Sequence, residues 1–213
     1  ARGTEERRGE RRESMKVLGL FILRALPSDA EAVALSEAYY LNDFSYFQRG
    51  GVREFALFFA KTVSKRIELG QRSTVEHQEY NVHVHVRANG LAAVALCDRE
   101  YPARVAFTLL MKLQDDFASV HPEQTWKFAK DMLSFPELED AITRYQNPAE
   151  ADNLMRLQRE LDETKIILHK TIDSVLERGV KLDNLVDKSN DLSVQSKMFY
   201  QTAKSQNSCC GMM

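Results

Sequence analysis

The sequence ends in SCCGMM, which places two thiols, Cys209 and Cys210, side by side. Cys210 and the three residues after it, Gly211-Met212-Met213, have the spacing of a CaaX box, the signal for prenylation. A final Met favours a farnesyl group on Cys210, although Gly211 departs from the aliphatic residue usual at its position. Two unmodified thiols are the alternative. Because one lipid chain gives only marginal, reversible membrane binding, this ending predicts a protein that exchanges between cytosol and membrane.

Three histidines are candidate metal ligands. His83 and His85 alternate in YNVHVHVRA, and His77 lies nearby in the sequence. Alternate histidines on a strand can chelate zinc, but no Cys, Asp or Glu repeats this spacing. We therefore predict no metal site, and we expect His83 and His85 to face solvent opposite the buried valines at 82, 84 and 86.

No enzyme motif accompanies these residues. The sequence lacks GxxxxGK[ST], GxGxxG, HExxH and GxSxG. Cys97 closes the apolar run LAAVALC and is expected in a core rather than as a nucleophile. The net charge of -2 argues against a nucleic-acid partner. We therefore predict a protein that is not an enzyme and has no cofactor and no small-molecule substrate.

The most regular pattern runs through residues 151–206. From Leu154, steps of alternately three and four residues reach Ala203 without interruption over seven heptads, which indicates a coiled-coil seam on a long helix. The seam consists of Leu154, Leu157, Leu161, Thr164, Leu168, Thr171, Val175, Arg178, Leu182, Leu185, Ser189, Leu192, Ser196, Phe199 and Ala203. Its small and polar members favour a tight bundle of several helices over an apolar dimer.

Arg178 places a full charge at the midpoint of the seam. Burying an unpaired charge costs several kcal/mol, so Arg178 either meets acceptors on partner helices and fixes their register, or lies at the edge of a surface helix. Gly179, next to it, costs about 1 kcal/mol in a helix relative to Ala. The segment is therefore expected to become helical on binding other helices.

The part of the chain before the seam has the patterns of an α+β domain. Residues 1–14, mostly Arg and Glu, have no apolar face and are expected to be a disordered extension. The domain itself is assigned to residues 15–138, and residues 139–150 form a linker that includes the end of a short helix. The charged N-terminus offers no secretory signal, and no apolar run is long enough to span a membrane.

Within this domain the order of patterns is strands, helix, strands, helices. KVLGLFIL is typical of a buried strand, and EAVALSEAYY fits a strand or a helix, with a hairpin partner favoured because it follows a turn. Apolar spacing predicts a helix over 52–69 that stops at Gly70, and Asn89-Gly90 predicts a hairpin between 80–88 and 91–97. Another helix begins after Pro102, and SFPELEDAITRY gives a last short one.

Two groups of motifs resemble known families. LQRELDETKIILHKTIDSVLERGVKLDNLVDKS resembles the SNARE motif of synaptobrevin-like proteins, and Arg178 in VLERG matches the central-layer arginine of R-SNAREs. FFAKTVSKR and DREYPARVAFTLL resemble a longin domain. Over residues 15–213 the chain resembles a prenylated longin-domain R-SNARE, which implies a profilin-like antiparallel sheet packed by helices and then a long SNARE helix over 151–206.

The resemblance also implies a function and its partners. The SNARE segment would join three Q-SNARE helices (Qa, Qb and Qc) in a parallel bundle, with Arg178 facing three glutamines, and so drive membrane fusion. It implies ER–Golgi, intra-Golgi and vacuolar or late endosomal traffic, and SNARE-disassembly and tethering machinery as further partners. Cys209 would be palmitoylated, giving the second lipid that stable anchoring on cytoplasmic membrane faces needs.

Members of this subtype also fold back, which hides the lipid and the SNARE segment against an apolar groove. The matching groove residues are Phe55 and Phe58, and Phe58 is favoured because the helical stripe at 52, 55, 56, 59 and 63 is continuous without it. Both could instead be ordinary core residues. Two other functions stay open, namely a longin tether that does not drive fusion and an adaptor that acylates itself at Cys209.

Overall fold

The computed structural model of the protein describes residues 16–148 and 166–209, with side chains to residue 205. Residues 1–14 and the seam positions from Leu154 to Thr164 therefore lie outside the described residues. The strands are β1 (Val17–Arg24), β2 (Val33–Tyr39), β3 (Arg72–His77), β4 (Tyr80–Val86), β5 (Leu91–Asp98) and β6 (Ile166–His169). The helices are α1 (Tyr46–Arg66), α2 (Ala103–Val120), α3 (Glu123–Trp126), α4 (Glu137–Arg144), α5 (Leu182–Lys188) and α6 (Val194–Cys209).

The strands form one six-stranded sheet in the order β2-β1-β5-β4-β3-β6. The five strands of the N-terminal domain (residues 16–148) pair antiparallel, whereas β6 pairs with β3 in parallel. The expected α+β class is confirmed. The sixth strand, which makes the sheet mixed, comes from the region assigned to the seam.

Both faces of the sheet are covered, because alternate strand residues pack on two separate layers of helices. Leu20 and Ile22 of β1 pack with α2 and α4, in a cluster that also holds Trp126 and Cys97. Their neighbours Phe21 and Leu23 point to the other face, which α1 covers together with residues from 172 to 200. Two covered faces explain why β1 and β5 are apolar at nearly every position.

The two-sided cover overturns the expectation that His83 and His85 face solvent. His83 is fully buried, and its Nδ1 lies 2.9 Å from the hydroxyl of Thr74. His85 is half-buried, with Nδ1 2.6 Å from Oε1 of Gln114 on α2. Burial lowers the pKa of each histidine to about 4, so both are neutral at physiological pH. The alternation of side chains between the two faces of β4 was predicted correctly. The sequence did not reveal that α2 covers the face that carries the histidines.

In the N-terminal domain several local predictions are confirmed and two elements were missed. The Asn89-Gly90 turn joins β4 to β5 with Gly90 at a φ of 88°, and Pro102 directly precedes α2. The helix predicted over 52–69 begins six residues earlier, where the side chain of Gln48 accepts a hydrogen bond from the backbone of Ser45. Strand β3 and helix α3 were not predicted, because their short polar sequences carry no clear periodicity.

The C-terminal segment (residues 166–209) is folded as several short elements rather than one continuous helix. It contains β6, a 3₁₀ turn at Ile172–Ser174, α5 and α6. Gly179 between the turn and α5 has a φ of 88°, a left-handed conformation that ends any helix there. Part of the apolar side chains of this segment is covered by the N-terminal domain in this arrangement, which we call closed.

Candidate functional site

The C-terminal segment meets the N-terminal domain first at the edge of the sheet. Strand β6 pairs in parallel with β3, from Arg72 opposite Ile166 to Val75 opposite His169. The contact is made mainly by the backbone, because Ile166 and Leu168 remain 42% and 56% exposed. Strand addition covers backbone groups on β3 that an edge strand would otherwise leave open to pairing with other chains.

Beyond β6 the contact is made by apolar side chains against α1 and the sheet. Six large residues of the segment lie at 7% exposure or less, and they are Ile172, Leu176, Leu182, Val186, Leu192 and Tyr200. Leu182 and Leu192 belong to the predicted seam, whereas the other four each directly follow a predicted seam position. The closed arrangement therefore buries part of the seam together with the face next to it.

Helix α6 crosses α1 at a close approach over Gly51. A Cβ atom at Gly51 would lie 3.5 Å from the carbonyl oxygen of Gln195 and from Cα of Ser196, whereas one at Gly50 would meet nothing within 4 Å. Glu54, one turn further along α1, accepts hydrogen bonds from the backbone N–H of Ser193 at 2.9 Å and from the hydroxyl of Ser196 at 2.5 Å. These bonds lower the pKa of the Glu54 carboxyl.

An apolar cavity of about 400 Å³ lies between α1, α6 and the end of β3. Phe55 lines it, and the ring of Phe55 stacks on that of Tyr200 with centroids 5.1 Å apart. His77 also lines it, and burial lowers the pKa of this histidine. Phe58 lies in the next turn but lines a different cavity, beside Leu185. Of the two candidate groove residues, Phe55 is thus the one in the apolar cavity.

A polar network joins α5 to α6 within the segment. Asp183 accepts hydrogen bonds from the hydroxyl of Tyr200 at 2.7 Å and from Nζ of Lys204 at 2.6 Å. In a continuous helix Asp183 and Lys204 would lie about 31 Å apart. The network therefore exists only while the segment is folded back on itself.

Two sequence families account for most of the chain. The Longin family, described as a regulated-SNARE-like domain, matches residues 41–142, and the Synaptobrevin family matches residues 153–210. The chain is 50% identical over 196 residues to the synaptobrevin homolog ykt6 of Schizosaccharomyces pombe, covering 92% of this chain and 98% of that one. It is 49% identical over 201 residues to the VAMP-like protein YKT61 of Arabidopsis thaliana, covering 93% and 100%. The chain belongs to the Ykt6 family of longin-domain R-SNAREs.

R-SNAREs of this kind act in vesicle fusion and are not enzymes. The Synaptobrevin match over residues 153–210 spans the whole predicted seam. Its described members differ in their surroundings. Leu182, Leu192 and Ser196 are buried; Val175, Leu185, Ser189, Phe199 and Ala203 are half-buried; Leu168, Thr171 and Arg178 are exposed. Arg178, the predicted central residue of the motif, is thus exposed to solvent in the closed arrangement. Cys209 ends α6, while its side chain and Cys210 lie outside the description.

Neither a metal nor a membrane span is found in the part of the chain that the structure describes. Across residues 16–148 and 166–209 no group of three His, Cys, Asp or Glu side chains could hold an ion. Over the same residues no helix combines the length and the apolar character needed to cross a bilayer.

The residues that hold the Ykt6-family SNARE motif closed were mostly not identified from the sequence. Gly51, Glu54, Asp183 and Tyr200 were all missed. Two adjacent glycines directly before the predicted helix were the one available signal, since a glycine often marks a close approach by another backbone. The polar pairs carried no signal, because their partners are far apart in the chain.

The substitution Glu54→Gln is expected to lower the free energy that holds α6 on α1 at neutral pH by about 1 kcal/mol. The effect is this small because Glu54 is exposed and water screens its charge. Because the pKa of Glu54 is lowered, its ionised carboxylate stabilises the closed arrangement at pH values above 4.5, the ordinary pKa of this group. The contribution is lost as the pH falls through the lowered pKa. Hydrogen exchange of α6 amides should therefore separate the variant from the wild type at pH 7, and less so in acid. Glu139→Gln on α4 is the control, and equal exchange in all three proteins at pH 7 would refute the role of Glu54.

Proposed function

We propose that this protein is a lipid-anchored R-SNARE that its own longin domain holds inactive. The observation that carries the proposal is the burial of Leu182, Leu192 and Ser196 against the N-terminal domain. In a SNARE bundle the same three seam side chains face the partner helices. They cannot be in both places, so the closed arrangement and the bundle exclude each other.

Assembly would occur with three Q-SNARE helices, one each of the Qa, Qb and Qc types. The described part of the motif would exchange its short elements for one straight helix, and burial of successive seam layers would supply free energy to draw two membranes together. Arg178, exposed in the closed arrangement, would then meet three glutamines and fix the register of the four helices. Disassembly and tethering machinery would act on this bundle.

The lipid anchor completes the proposal. Cys210 would carry a farnesyl group and Cys209 a reversible palmitoyl group, so that two chains anchor the protein while one does not. The apolar cavity beside Phe55 could receive a lipid chain in the closed arrangement, since it lies along α6, the helix that ends at Cys209. The protein would then cycle between the cytosol and the cytoplasmic faces of Golgi, ER-derived vesicles, endosomes and vacuole, acting in ER–Golgi, intra-Golgi and late endosomal fusion.

The test is immunoprecipitation from detergent-solubilised membranes, with the eluate run boiled and unboiled in SDS. A heat-sensitive, SDS-resistant band that contains three Q-SNARE helices is the expected result. Recovery of a single coiled-coil partner would favour the tether. Transfer of a labelled acyl group from an acyl thioester to Cys209 of the purified protein alone would favour the self-acylating adaptor.

Glutamate at position 55 is expected to move the prenylated protein from cytosol to membranes more strongly than glutamate at position 58. Phe55→Glu places a charge in the apolar cavity and removes the stack on Tyr200, whereas Phe58→Glu faces a cavity lined by lysines. Cell fractionation measures the membrane-bound share. Combining each variant with Cys210→Ser should return it to the cytosol, and a membrane shift that survives this change would exclude the lipid as its cause.

A further inference from the structure

A second cavity, also of about 400 Å³, lies beside the last turns of α1. It is bounded by α1, by residues 30–32 and by residues 185–191 at the end of α5 and the turn after it. Its charged lining residues are Lys61, Lys65, Arg66 and Lys188, with Glu31 and Asp191. Four cations against two carboxylates leave a surplus of two positive charges.

The cations of this cavity are poorly neutralised by the acids around them. Nζ of Lys61 lies 3.8 Å from the carboxylate of Asp191, and the guanidinium of Arg66 lies 3.9 Å from that of Glu177, both beyond hydrogen-bond range. Lys65 donates to backbone carbonyls rather than to a carboxylate. Nε of Arg66 is buried and has no hydrogen-bond partner among the described atoms. A buried donor of this kind is satisfied when an acceptor binds beside it.

Helix ends do not account for this charge. Both α1 and α5 end at the cavity, and a helix C-terminus carries about half a negative charge. Two such ends offset roughly one cation, and the half-charge applies less to α5 because it has only seven residues. Glu177 lies beside Arg66, but its side chain is 76% exposed, so water screens its charge. About one positive charge and the buried Nε of Arg66 therefore remain to be matched by something else.

We propose that this cavity binds a phosphate-bearing anion of the inositol phosphate class. A phosphate monoester carries nearly two negative charges at neutral pH, which is enough to neutralise the remaining positive charge, and its oxygens accept from lysine and from the planar arginine fork. Hydroxyl and amide donors complete the lining, from Thr62, Ser189 and Asn190. The same chemistry is presented by a free inositol phosphate and by the headgroup of a phosphorylated inositol lipid.

Both parts of the chain contribute to this site. Lys188 and its neighbours leave the cavity when the C-terminal segment leaves α1, so the anion binds the closed arrangement more tightly than an open one. By linkage, the bound anion favours closure. Binding itself needs only the described geometry, whereas this regulatory consequence rests on the proposed function.

Titration calorimetry of the full, unlipidated chain with inositol trisphosphate tests the site. Lys188→Glu is expected to weaken binding by tenfold or more, because it replaces one cation with a carboxylate in contact with the anion. Lys112→Glu is the matched control, since it makes the same change of charge on α2, away from this cavity. Equal affinities of wild type and Lys188→Glu, or equal losses in both variants, would overturn the proposal.

Vesicle sedimentation identifies the source of the phosphate. Phosphatidylcholine vesicles containing phosphatidylinositol bisphosphate are compared with vesicles containing phosphatidylserine. Preference for the inositol lipid, lost in Lys188→Glu, assigns the headgroup, whereas binding of soluble inositol trisphosphate alone assigns the free anion. Binding of neither probe overturns the site.

The link to closure is tested separately, with Gly51→Leu as an opened variant. If the link holds, this variant binds inositol trisphosphate more weakly than the wild type. Equal affinity, together with an α6 that exchanges faster, refutes the link. Failure of the proposed function gives a different result, because α6 of the wild type would then be unprotected from exchange whatever the affinity for the anion.

Discussion

Replacing Gly51 with Leu is expected to release α6 from α1, whereas replacing Gly50 with Leu leaves the two helices together. A Cβ at position 51 fits at ordinary contact distance, 3.5 Å from the backbone of α6, so the rest of a leucine side chain would have to enter that backbone. Overpacking of a tight contact costs typically 1–3 kcal/mol. Both variants exchange a helical glycine for the same good helix former, so helix propensity cancels between them.

The expected result is a roughly tenfold or larger rise in the open population, since each 1.4 kcal/mol changes an equilibrium tenfold. Two measurements report it, namely faster hydrogen exchange of α6 amides and faster entry into a complex with soluble Q-SNARE helices. Gly50→Leu should match the wild type in both. If Gly51→Leu opens the chain without faster assembly, the closed arrangement does not limit fusion, and autoinhibition fails as an explanation.

Local patterns were enough to predict most of the N-terminal domain. The Asn89-Gly90 hairpin was recognised because the turn residues determine the geometry within a few residues of sequence. Helix α2 and the core position of Cys97 followed from apolar spacing in the same way. His83 was misplaced because its surroundings depend on α2, an element some twenty residues away, and alternation within a strand does not say how many faces are covered.

The C-terminal segment shows a different limit. Its heptad pattern predicts one helix, and a strand at Ile166–His169 was not expected, because that strand forms only through pairing with β3. Ile172, Leu176, Val186 and Tyr200 were not assigned to the seam, yet they are buried in the closed arrangement. If the seam packs on partner helices as proposed, one sequence encodes two sets of contacts, and the heptad pattern indicates only the set made in the bundle.

Gly179 has to adopt different backbone conformations in the closed arrangement and in the proposed SNARE bundle. In the closed arrangement its φ is 88°, where an L-residue is disfavoured by roughly 1–2 kcal/mol. In a straight SNARE helix the same glycine costs about 1 kcal/mol relative to Ala. Gly179→Ala therefore destabilises the closed arrangement and stabilises the bundle at once, and the two effects add.

The combined change of about 2–3 kcal/mol should shift the equilibrium between the closed chain and the assembled bundle towards the bundle by between thirtyfold and a hundredfold or more. Thermal melting of the assembled bundle and hydrogen exchange of the free chain report the two effects separately. Gly70→Ala is the control, because Gly70 has a φ of 82° and equally open surroundings but lies in the N-terminal domain. It should lower the stability of that domain and leave the bundle unchanged.

A Gly179→Ala chain that opens no more than the Gly70→Ala chain would mean that the turn at 179 is not coupled to release of the segment. If Gly179→Ala stabilises the bundle but does not open the free chain more easily, the glycine affects only the stability of the assembled bundle. If Gly179→Ala both opens the free chain and stabilises the bundle, then Gly179 itself stabilises the closed arrangement and weakens the bundle. Spontaneous assembly is then restrained at the centre of the motif as well as at its contact with α1.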